Sequence, residues 1–250
     1  MNDKRRAIYT HGYHESVLRS HRRRTAENSA GYLLPYLVPG LSVLDVGCGP
    51  GTITVDLAAR VVPGSVTGVE PTDDALSLAR AEAQLHRLSN ISFTTSDVHK
   101  LDFPDDAFDV VHAHQVLQHV ADPVRALQEM RRVCTPGGIV AARDADYSGF
   151  IWFPKLPALD RWLDLYERAA RANGGEPDAS VWCFATASAR EWWGLVWADR
   201  ILQSDLAHQL VDSGLATAAQ LEEISTAWRE WAAAPDGWLA IPHGEILCRA

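Results

Sequence analysis

One stretch of the chain combines a strand of the buried type with a glycine-rich turn. Residues 43–52 read Val-Leu-Asp-Val-Gly-Cys-Gly-Pro-Gly-Thr. The apolar, largely β-branched residues before Gly47 are typical of a central parallel strand. The three glycines allow a tight reversal, and a helix beginning near Thr52 would direct its free N–H groups and the positive end of its dipole over the turn. The run therefore predicts a place where a ligand contacts bare backbone.

The spacing of the glycines separates two kinds of nucleotide-binding fold. A dinucleotide-binding turn reads G-x-G-x-x-G, and its third glycine lets the helix pack closely on the strand. Here that position holds Thr52, and the spacing is instead G-x-G-x-G with Asp45 two residues before the first glycine. This form resembles the first motif of the class I S-adenosylmethionine-dependent methyltransferases, of the small-molecule type that includes the ubiquinone- and menaquinone-pathway enzymes. A nicotinamide-dependent reductase is the disfavoured alternative.

Acidic residues end the next two β-type runs. The run at 65–70 ends in Glu70, at about 20 residues after the glycines, where a nucleoside-binding α/β fold places a carboxylate that accepts the ribose hydroxyl hydrogens. The run at 91–97 ends in Asp97. The methyltransferase resemblance implies that Asp97, with Val98, holds the amino group and edge of adenine.

Five β-type segments separated by amphipathic helical stretches predict an α/β fold. The fourth lies at 109–114, and in the run at 133–142 a Pro-Gly-Gly turn at 136–138 enters the fifth. This pattern favours a Rossmann-like open sheet of mainly parallel strands with helices on both faces. The final strand, within 237–250, is expected to be antiparallel. Ligands of such a sheet bind outside the carboxyl ends of its strands.

The resemblance implies S-adenosyl-L-methionine as cofactor and S-adenosyl-L-homocysteine as product. Most of the predicted cofactor-binding residues follow the first four strands, and two more, in an N-terminal segment that closes the site, would reach the methionine carboxylate. The predicted set is Asp45, Gly47, Cys48, Gly49, Gly51, Thr52, Glu70, Pro71, Asp97, Val98, His114, Gln115, Tyr9 and Arg24. His11 and Tyr13 are further candidates in the N-terminal segment, where capping and solvating the helices is the alternative role.

Methyl transfer from a sulfonium chiefly needs a nucleophile held in line, and it needs a base only when that nucleophile starts protonated. His114 and His119, at the mouth of the fourth strand, are the catalytic candidates. In the enzymes that this chain resembles, the histidine matching His119 often fixes the loop rather than moving protons. The predicted acceptor-binding residues are Tyr13, Arg143, Asp144, Tyr147, Trp152, Trp192 and Trp193. A salt-bridged loop is the alternative for Arg143 and Asp144, and a hydrophobic core is the alternative for the tryptophans.

The second half of the chain departs from a minimal methyltransferase. All nine tryptophans lie between Trp152 and Trp238, and near-helical spacing predicts helices over 157–174, 188–214 and 220–233. A further helix at 28–37 is expected to lead into the first strand. We therefore divide the chain into an N-terminal helical lid at 1–30, a cofactor-binding core at 31–147, a helical cap at 148–236 with one strand near 180–186, and a last core strand at 237–250.

Composition and charge exclude several partners. The 250 residues are 47% hydrophobic with a net charge of −9, so the chain can bury a full core and offers no basic face for a nucleic acid. No apolar run has membrane length, and four cysteines without C-x-x-C spacing favour a reduced cytoplasm. Methyl transfer needs no metal, and we predict none although His112, His114 and His119, with His11 and His14, invite the hypothesis. Abundant arginine and alanine suggest a bacterial source, and a homodimer is left open.

The sequence thus predicts an S-adenosylmethionine-dependent methyltransferase. Its acceptor would be an O, N or C nucleophile of a small molecule, and the crowded tryptophans suit one that is apolar or aromatic. The alternative from another class is a protein that binds S-adenosylmethionine without methyl transfer, as a sensor or a non-transfer enzyme.

Overall fold

The computed structural model describes residues 15–146, 149–172 and 181–250. Within these ranges the chain forms two compact units. The sheet unit comprises His21–Leu117, Asp122–Asp144 and Gly244–Ala250, and the tryptophan-rich unit comprises the described parts of Met1–Ser20, Gln118–Ala121 and Ala145–His243. The predicted cap at 148–236 falls within the tryptophan-rich unit.

From residue 42 to residue 145 a helix separates most successive strands, although the third and fourth strands are joined without one, and helices dominate the later part. The elements in chain order are α1 (Glu15–His21), α2 (Ala26–Ser29), β1 (Ser42–Val46), α3 (Thr52–Val61), β2 (Ser65–Glu70), α4 (Asp73–Leu85), β3 (Ile91–Thr95), β4 (Phe108–His114), α5 (Pro123–Val133), β5 (Cys134–Ala145), β6 (Ile151–Phe153), α6 (Pro157–Ala172), β7 (Val181–Phe184), α7 (Ala187–Gln203), α8 (Asp205–Asp212), α9 (Ala218–Ala233) and β8 (Trp238–Arg249), with short 3-10 helices at Leu34–Tyr36 and Leu117–His119.

The sheet unit contains the predicted parallel sheet. β1 lies parallel to both β2 and β4, β3 lies parallel to β2, and β5 lies parallel to β4. The last strand, β8, follows β5 in the strand order β3-β2-β1-β4-β5-β8. The N–H of Ala250 donates to the Gly138 carbonyl over 2.9 Å, so the end of β8 meets the start of β5 and the two strands are antiparallel. The predicted Rossmann-like α/β fold is confirmed.

Alternation along β1 sends its side chains into two separate cores. Val43 packs with Leu57 of α3 on one face of the sheet. Leu44 packs with Met130 and Val133 of α5 on the other face. Because successive strand residues point to opposite faces, helices cover the sheet on both sides and β1 is buried between them.

The order of the strands places a switch point between β1 and β4. The chain adds β2 and β3 on one side of β1, and it then returns to add β4 and β5 on the other side. Chain connections therefore lead away in opposite directions from the carboxyl ends of β1 and β4, and in open α/β sheets this crevice is where ligands bind. The glycine-rich turn follows β1 at this point.

An aromatic core fills the tryptophan-rich unit. Trp162, Trp228 and Trp231 are fully buried, and the Trp162 ring lies edge-on to Trp197 and Trp228 at centroid distances of 4.7 and 4.9 Å. Edge-to-face packing at this spacing is favourable for aromatic rings. β6 and β7 both pair antiparallel with the first half of β8 and complete the unit.

Two of the predicted helices have different bounds in the structure. The predicted helix at 188–214 is two helices, because Ser204 has an extended backbone and its hydroxyl donates to the Arg200 carbonyl over 2.7 Å, which ends α7 before α8 begins. The predicted helix at 28–37 is wrong. The Thr25 capping box starts α2 earlier, and helical structure resumes only as the 3-10 turn containing Pro35, a residue that cannot donate a backbone hydrogen bond.

Candidate functional site

The glycine turn after β1 has the left-handed backbone that favours glycine. The φ angles of Gly47, Gly49 and Gly51 are 69°, 54° and 85°. A Cβ on Gly47 would lie 2.3 Å from Cγ2 of Val116, and one on Gly51 would lie 2.9 Å from Cα of Ala79, whereas one on Gly49 would meet no atom of the described chain within 4 Å. Packing therefore requires two of the glycines, and Gly49 borders a space that no atom of the described residues fills.

Backbone hydrogen bonds hold the turn against the end of β2. The N–H groups of Gly47 and Cys48 both donate to the Val69 carbonyl, over 2.8 and 3.2 Å. The Cys48 side chain packs with Leu76 and Ala79 of α4, and burial raises the pKa of its thiol. The Cys48 side chain thus serves packing, and its backbone shapes the turn.

Asp45 lies beneath the turn, in the interior. Thr54 Oγ1 donates to Asp45 Oδ2 over 2.6 Å, and His112 Nδ1 lies 2.8 Å from Asp45 Oδ1. The residues Asp45 and His112 are 2% and 0% exposed. Both oxygens of the predicted ligand carboxylate therefore have protein partners, and the carboxylate joins β1 to α3 and β4. Sequence reasoning missed Thr54, and it named His112 only in the discarded metal hypothesis.

Glu70 supplies a buried carboxylate at the end of β2. The Gly49 N–H donates to Glu70 Oε1 over 2.7 Å. Burial raises the pKa of Glu70 to about 7; the Gly49 hydrogen bond opposes this rise, and the charge of Asp45 adds to it. A ligand that donates hydrogen bonds to this carboxyl would favour its ionised form. Pro71, the next residue, is exposed.

Asp97 follows β3 and is fixed by a residue that sequence reasoning missed. The N–H and the Nδ1 of His99 lie 2.9 and 2.8 Å from Asp97 Oδ1. Partial burial raises the pKa of Asp97, but the hydrogen bonds and charge of His99 outweigh it and lower the pKa overall. Val98 is half-buried and packs against the sheet core. The only sequence signal was a histidine two residues after the acid.

The segment between α1 and α2 reaches the ends of β1 and β4. Thr52 Oγ1 donates to the His21 carbonyl over 3.3 Å, and Arg24 donates to the Gln115 side chain. The Gln115 N–H in turn donates to the Arg143 carbonyl over 2.6 Å. Three predicted cofactor residues, Arg24, Thr52 and Gln115, are thereby brought to one edge of the sheet. Tyr9, His11, Tyr13 and His14 lie outside the described residues.

The two catalytic candidates lie at the end of β4 and in the short helix that follows it. His114 is the last residue of β4 and lies opposite Arg143 in the parallel register. His119 belongs to the tryptophan-rich unit, where Gln118 Nε2 donates to His119 Nε2 over 3.0 Å and Gln118 Oε1 accepts from the Ala145 N–H over 2.7 Å. Gln118, which sequence reasoning missed, thus links the His119 ring to the backbone of Ala145.

The residues predicted to bind the methyl acceptor lie in different surroundings. Arg143 Nε lies 3.0 Å from Glu245 Oε1, and Arg143 also donates to the Asn28 carbonyl over 3.0 Å, so it ties α2 and the last strand to β5. Burial lowers the pKa of Arg143. Asp144 is buried as well. Trp152 and Trp193 lie within the aromatic core and Trp192 packs on it half-buried, while Tyr147 lies outside the described residues.

The described residues offer neither a metal-binding cluster nor a membrane-spanning helix. Across residues 15–146, 149–172 and 181–250, no group of three or more His, Cys, Asp or Glu residues is gathered in a way that could hold a metal ion. In the same ranges no helix is long and apolar enough to cross a membrane.

A glycine turn at the switch point, with carboxylates ending β2 and following β3, defines the class: an α/β protein built to bind a nucleoside-containing ligand. The family model described as a methyltransferase domain matches residues 37–214. The chain belongs to this methyltransferase family, and the predicted enzyme class, an S-adenosylmethionine-dependent methyltransferase, is confirmed.

Full-length relatives carry the same description. The chain is 34% identical to an uncharacterized methyltransferase of Schizosaccharomyces pombe, over 96% of this chain and 95% of the relative. It is 30% identical to the probable methyltransferase ltbC of Aspergillus luteorubrus, over 96% of each protein. A demethylmenaquinone methyltransferase of Lactococcus lactis is 34% identical over 51% of this chain and 48% of the relative. Both full-length relatives are fungal, and the bacterial source stays a prediction.

Solved structures share the fold. The YcgJ protein from Bacillus subtilis matches with a TM-score of 0.53 at 20% identity, covering 88% of this chain and 98% of that one. The MccD protein matches with a TM-score of 0.50 at 13% identity, covering 89% and 99%. At these identities the likeness concerns architecture alone.

Proposed function

We propose that this enzyme transfers a methyl group from S-adenosyl-L-methionine to an O, N or C nucleophile of a small, apolar or aromatic molecule. The observation that carries the proposal is the space at Gly49, unfilled by any atom of residues 15–146, 149–172 and 181–250, directly beside the buried Glu70 carboxyl. A nucleoside placed there would exchange hydrogen bonds with both the turn and the carboxylate.

The residues at the carboxyl ends of the strands fit the parts of this cofactor. Glu70 would accept the ribose hydroxyl hydrogens, and Asp97 with Val98 and Pro71 would contact the adenine. The turn from Gly47 to Thr52 would face the amino-acid portion. Arg24 and Gln115, joined by a hydrogen bond, would bind the methionine carboxylate together with Tyr9, because guanidinium groups pair well with carboxylates. His114 would contact the cofactor from the same edge of the sheet.

The bound cofactor supplies an electrophilic methyl group on a sulfonium. The protein's own residues then have to orient the acceptor nucleophile and exclude water. His119 and His114 are the proposed bases for acceptors that start protonated. The Gln118 hydrogen bond holds His119 by Nε2, which supports a role in fixing the loop as well. Arg143, Asp144, Tyr13, Tyr147 and the indoles Trp152, Trp192 and Trp193 remain the proposed acceptor contacts.

The partners and setting of the enzyme follow the same proposal. The acceptor is a small molecule, and neither nucleic acid nor membrane is a partner. The four cysteines are free thiols, two buried and two exposed, which supports a reduced, cytoplasmic setting. Sedimentation of the purified protein separates a monomer from the homodimer that the sequence leaves open.

Calorimetric titration tests the cofactor assignment. S-adenosylhomocysteine and S-adenosylmethionine are expected to bind with micromolar dissociation constants. NAD is expected not to bind. Glu70→Ala should weaken adenosyl binding at least about tenfold, because the carboxylate that accepts the ribose hydroxyls is gone. Glu82→Gln, on the surface of α4, is the matched control and should bind as the wild type does. Binding of NAD without adenosyl binding would contradict the proposal.

An acceptor screen then tests transfer itself. Release of S-adenosylhomocysteine is measured with panels of small phenols, amines and activated carbon acids. Turnover of any panel identifies the nucleophile class. Tight adenosyl binding without turnover of any acceptor would instead favour the protein that binds the cofactor without transferring the methyl group.

A further inference from the structure

His99 connects the acid after β3 to the start of helix α5. Its N–H and Nδ1 lie 2.9 and 2.8 Å from Asp97 Oδ1, and the backbone N–H of Asp122 donates to its Nε2 over 3.3 Å. Asp122 is the N-cap of α5, and its carboxylate accepts from the Arg125 N–H over 2.9 Å. His99 thus lies between a proposed ligand contact and a fixed helix end.

The partners of His99 determine its tautomer. A backbone N–H can only donate, so Nε2 must accept and carries no hydrogen. The ring hydrogen of the neutral imidazole therefore lies on Nδ1, which donates to Asp97. Asp97 Oδ1 accepts two hydrogen bonds from the same residue, and within the described part of the chain all hydrogen bonds to this carboxyl go to Oδ1.

Helix α5 anchors the segment on which His99 lies. Arg125 Nε donates to the His99 carbonyl over 3.1 Å. Buried Glu129 accepts from the Leu101 N–H over 3.0 Å, and Arg132 donates to the Leu101 carbonyl over 2.8 Å. Among the charged residues, Asp97 contacts the imidazole by its carboxylate and Asp122 by its backbone, Arg125 contacts the His99 carbonyl, and Lys100 is the next residue in the chain. The segment is therefore held by side chains of one helix.

We propose that His99 is a positioning residue that sets the enzyme's selectivity for adenine over hypoxanthine in the cofactor. The inference rests on the proposed function, in which Asp97 accepts from the adenine amino group. With Oδ1 engaged twice, Oδ2 is the oxygen that meets the base. Adenine offers an amino donor there, whereas hypoxanthine offers a carbonyl oxygen that the carboxylate repels.

Fixing the carboxylate is what makes the discrimination large. Hypoxanthine also carries an N1–H donor, and a carboxylate that rotates freely can shift to accept it. A carboxylate held by two hydrogen bonds cannot make that adjustment without losing one of them. His99 thus acts through Asp97 and does not contact the reacting atoms.

Paired titrations with S-adenosyl-L-homocysteine and S-inosyl-L-homocysteine test the proposal. The measured quantity is the ratio of the two affinities. His99→Ala should lower this ratio at least about tenfold, mostly through weaker adenosyl binding, and His99→Asn, which keeps a donor for Asp97, should restore part of it. His86→Ala removes an exposed histidine paired with Glu82 and should leave the ratio unchanged.

A double variant shows whether His99 acts through Asp97. Asp97→Ala and the Asp97→Ala/His99→Ala double variant should have the same ratio, because the removed carboxylate leaves nothing to position. Equal losses of both ligands in His99→Ala would show a merely structural role and overturn the inference alone. A wild-type protein that binds neither ligand would overturn the proposed function together with the inference.

Nitrogen NMR of the unliganded protein provides a test independent of any cofactor. Long-range ¹⁵N–¹H spectra of the His99 ring should show the Nδ1–H tautomer at pH 8. Unfolding melts of His99→Ala establish that the variant is folded before titration. An Nε2–H tautomer would overturn the inference, since Nδ1 could then not donate to Asp97.

Discussion

Asp45 and His112 lie opposite each other on the neighbouring parallel strands β1 and β4, and a 2.8 Å hydrogen bond joins Asp45 Oδ1 to His112 Nδ1. The second oxygen of Asp45 accepts from Thr54 of α3. The pair is buried directly before the glycine turn. It therefore links two strands and a helix at the point where the proposed cofactor site begins.

Removing His112 should destabilise the protein strongly. His112→Ala leaves Asp45 buried with one oxygen unpartnered, and we expect a loss of about 3 kcal/mol in the free energy of unfolding. His86→Ala removes a histidine from an exposed ion pair and should cost at most about 0.5 kcal/mol. Urea unfolding at pH 7.5 measures both variants. A loss below about 1 kcal/mol in His112→Ala would contradict the buried pair.

The ionised form of Glu70 should lower the free energy of unfolding at high pH. Its pKa in the folded protein is raised to about 7 from an ordinary value of 4.5, so the folded state holds the proton more tightly than the unfolded chain does. Stability therefore falls as the pH rises from about 4.5 through 7. Glu70→Gln keeps an oxygen for the Gly49 N–H and should be more stable than the wild type by about 1–3 kcal/mol at pH 8.

The comparison at low pH controls this prediction. At pH 4.5 the advantage of Glu70→Gln should shrink to nearly zero, because Glu70 is then protonated in the folded protein. Urea unfolding at both pH values measures it. An advantage of the same size at both would show that charge burial is not its cause.

The same carboxyl should make cofactor binding pH-dependent. Ribose hydroxyls donate to the ionised form, so binding draws Glu70 into that form and releases a proton. Given the pKa of about 7, the affinity for S-adenosylhomocysteine should be about tenfold weaker at pH 6 than at pH 8. Calorimetry in buffers of different ionisation enthalpy detects the released proton. In Glu70→Gln the remaining affinity should be flat across this range.

Gly49→Ala should abolish cofactor binding while lowering stability no more than an alanine at a glycine away from the site does. Gly49 and Gly137 both have positive φ angles, and a Cβ on either would meet no described atom within 4 Å. Alanine at either position should cost about 1 kcal/mol of stability for the left-handed backbone. Only Gly49→Ala should abolish S-adenosylhomocysteine binding, because its methyl group fills the ligand's space. Equal binding by the two variants would argue against a ligand at the turn.

Trp162 should be essential to the tryptophan-rich unit. It is fully buried and lies edge-on to two other indoles, so Trp162→Ala should cost about 3–5 kcal/mol. Trp238 is 39% exposed, and Trp238→Ala should cost about 1 kcal/mol or less. Thermal unfolding followed by tryptophan fluorescence compares the two. Similar losses would mean that the aromatic core is loosely packed.

Part of the site could be predicted from the sequence, because it depends on residues that are close together in the chain. The strand, turn and helix at 43–61 follow from β-branched residues and positive-φ glycines that are adjacent in sequence. The acids at the ends of β2 and β3 were found because parallel strands end at one edge of a sheet. The helix at Pro157 was found by its apolar period, but the break at Ser204 was not, since it depends on one extended residue within a helical pattern.

The sequence by itself determined the fold class, the family and the edge of the sheet where the proposed ligand site lies, because strand periodicity and glycine turns act over a few residues. Only the tertiary structure decided which side chains hold that site in place. Asp45 meets His112, and His99 meets the start of α5, across 67 and 23 positions of sequence. Those pairings depend on strand register and helix packing, and no local pattern specifies either of them.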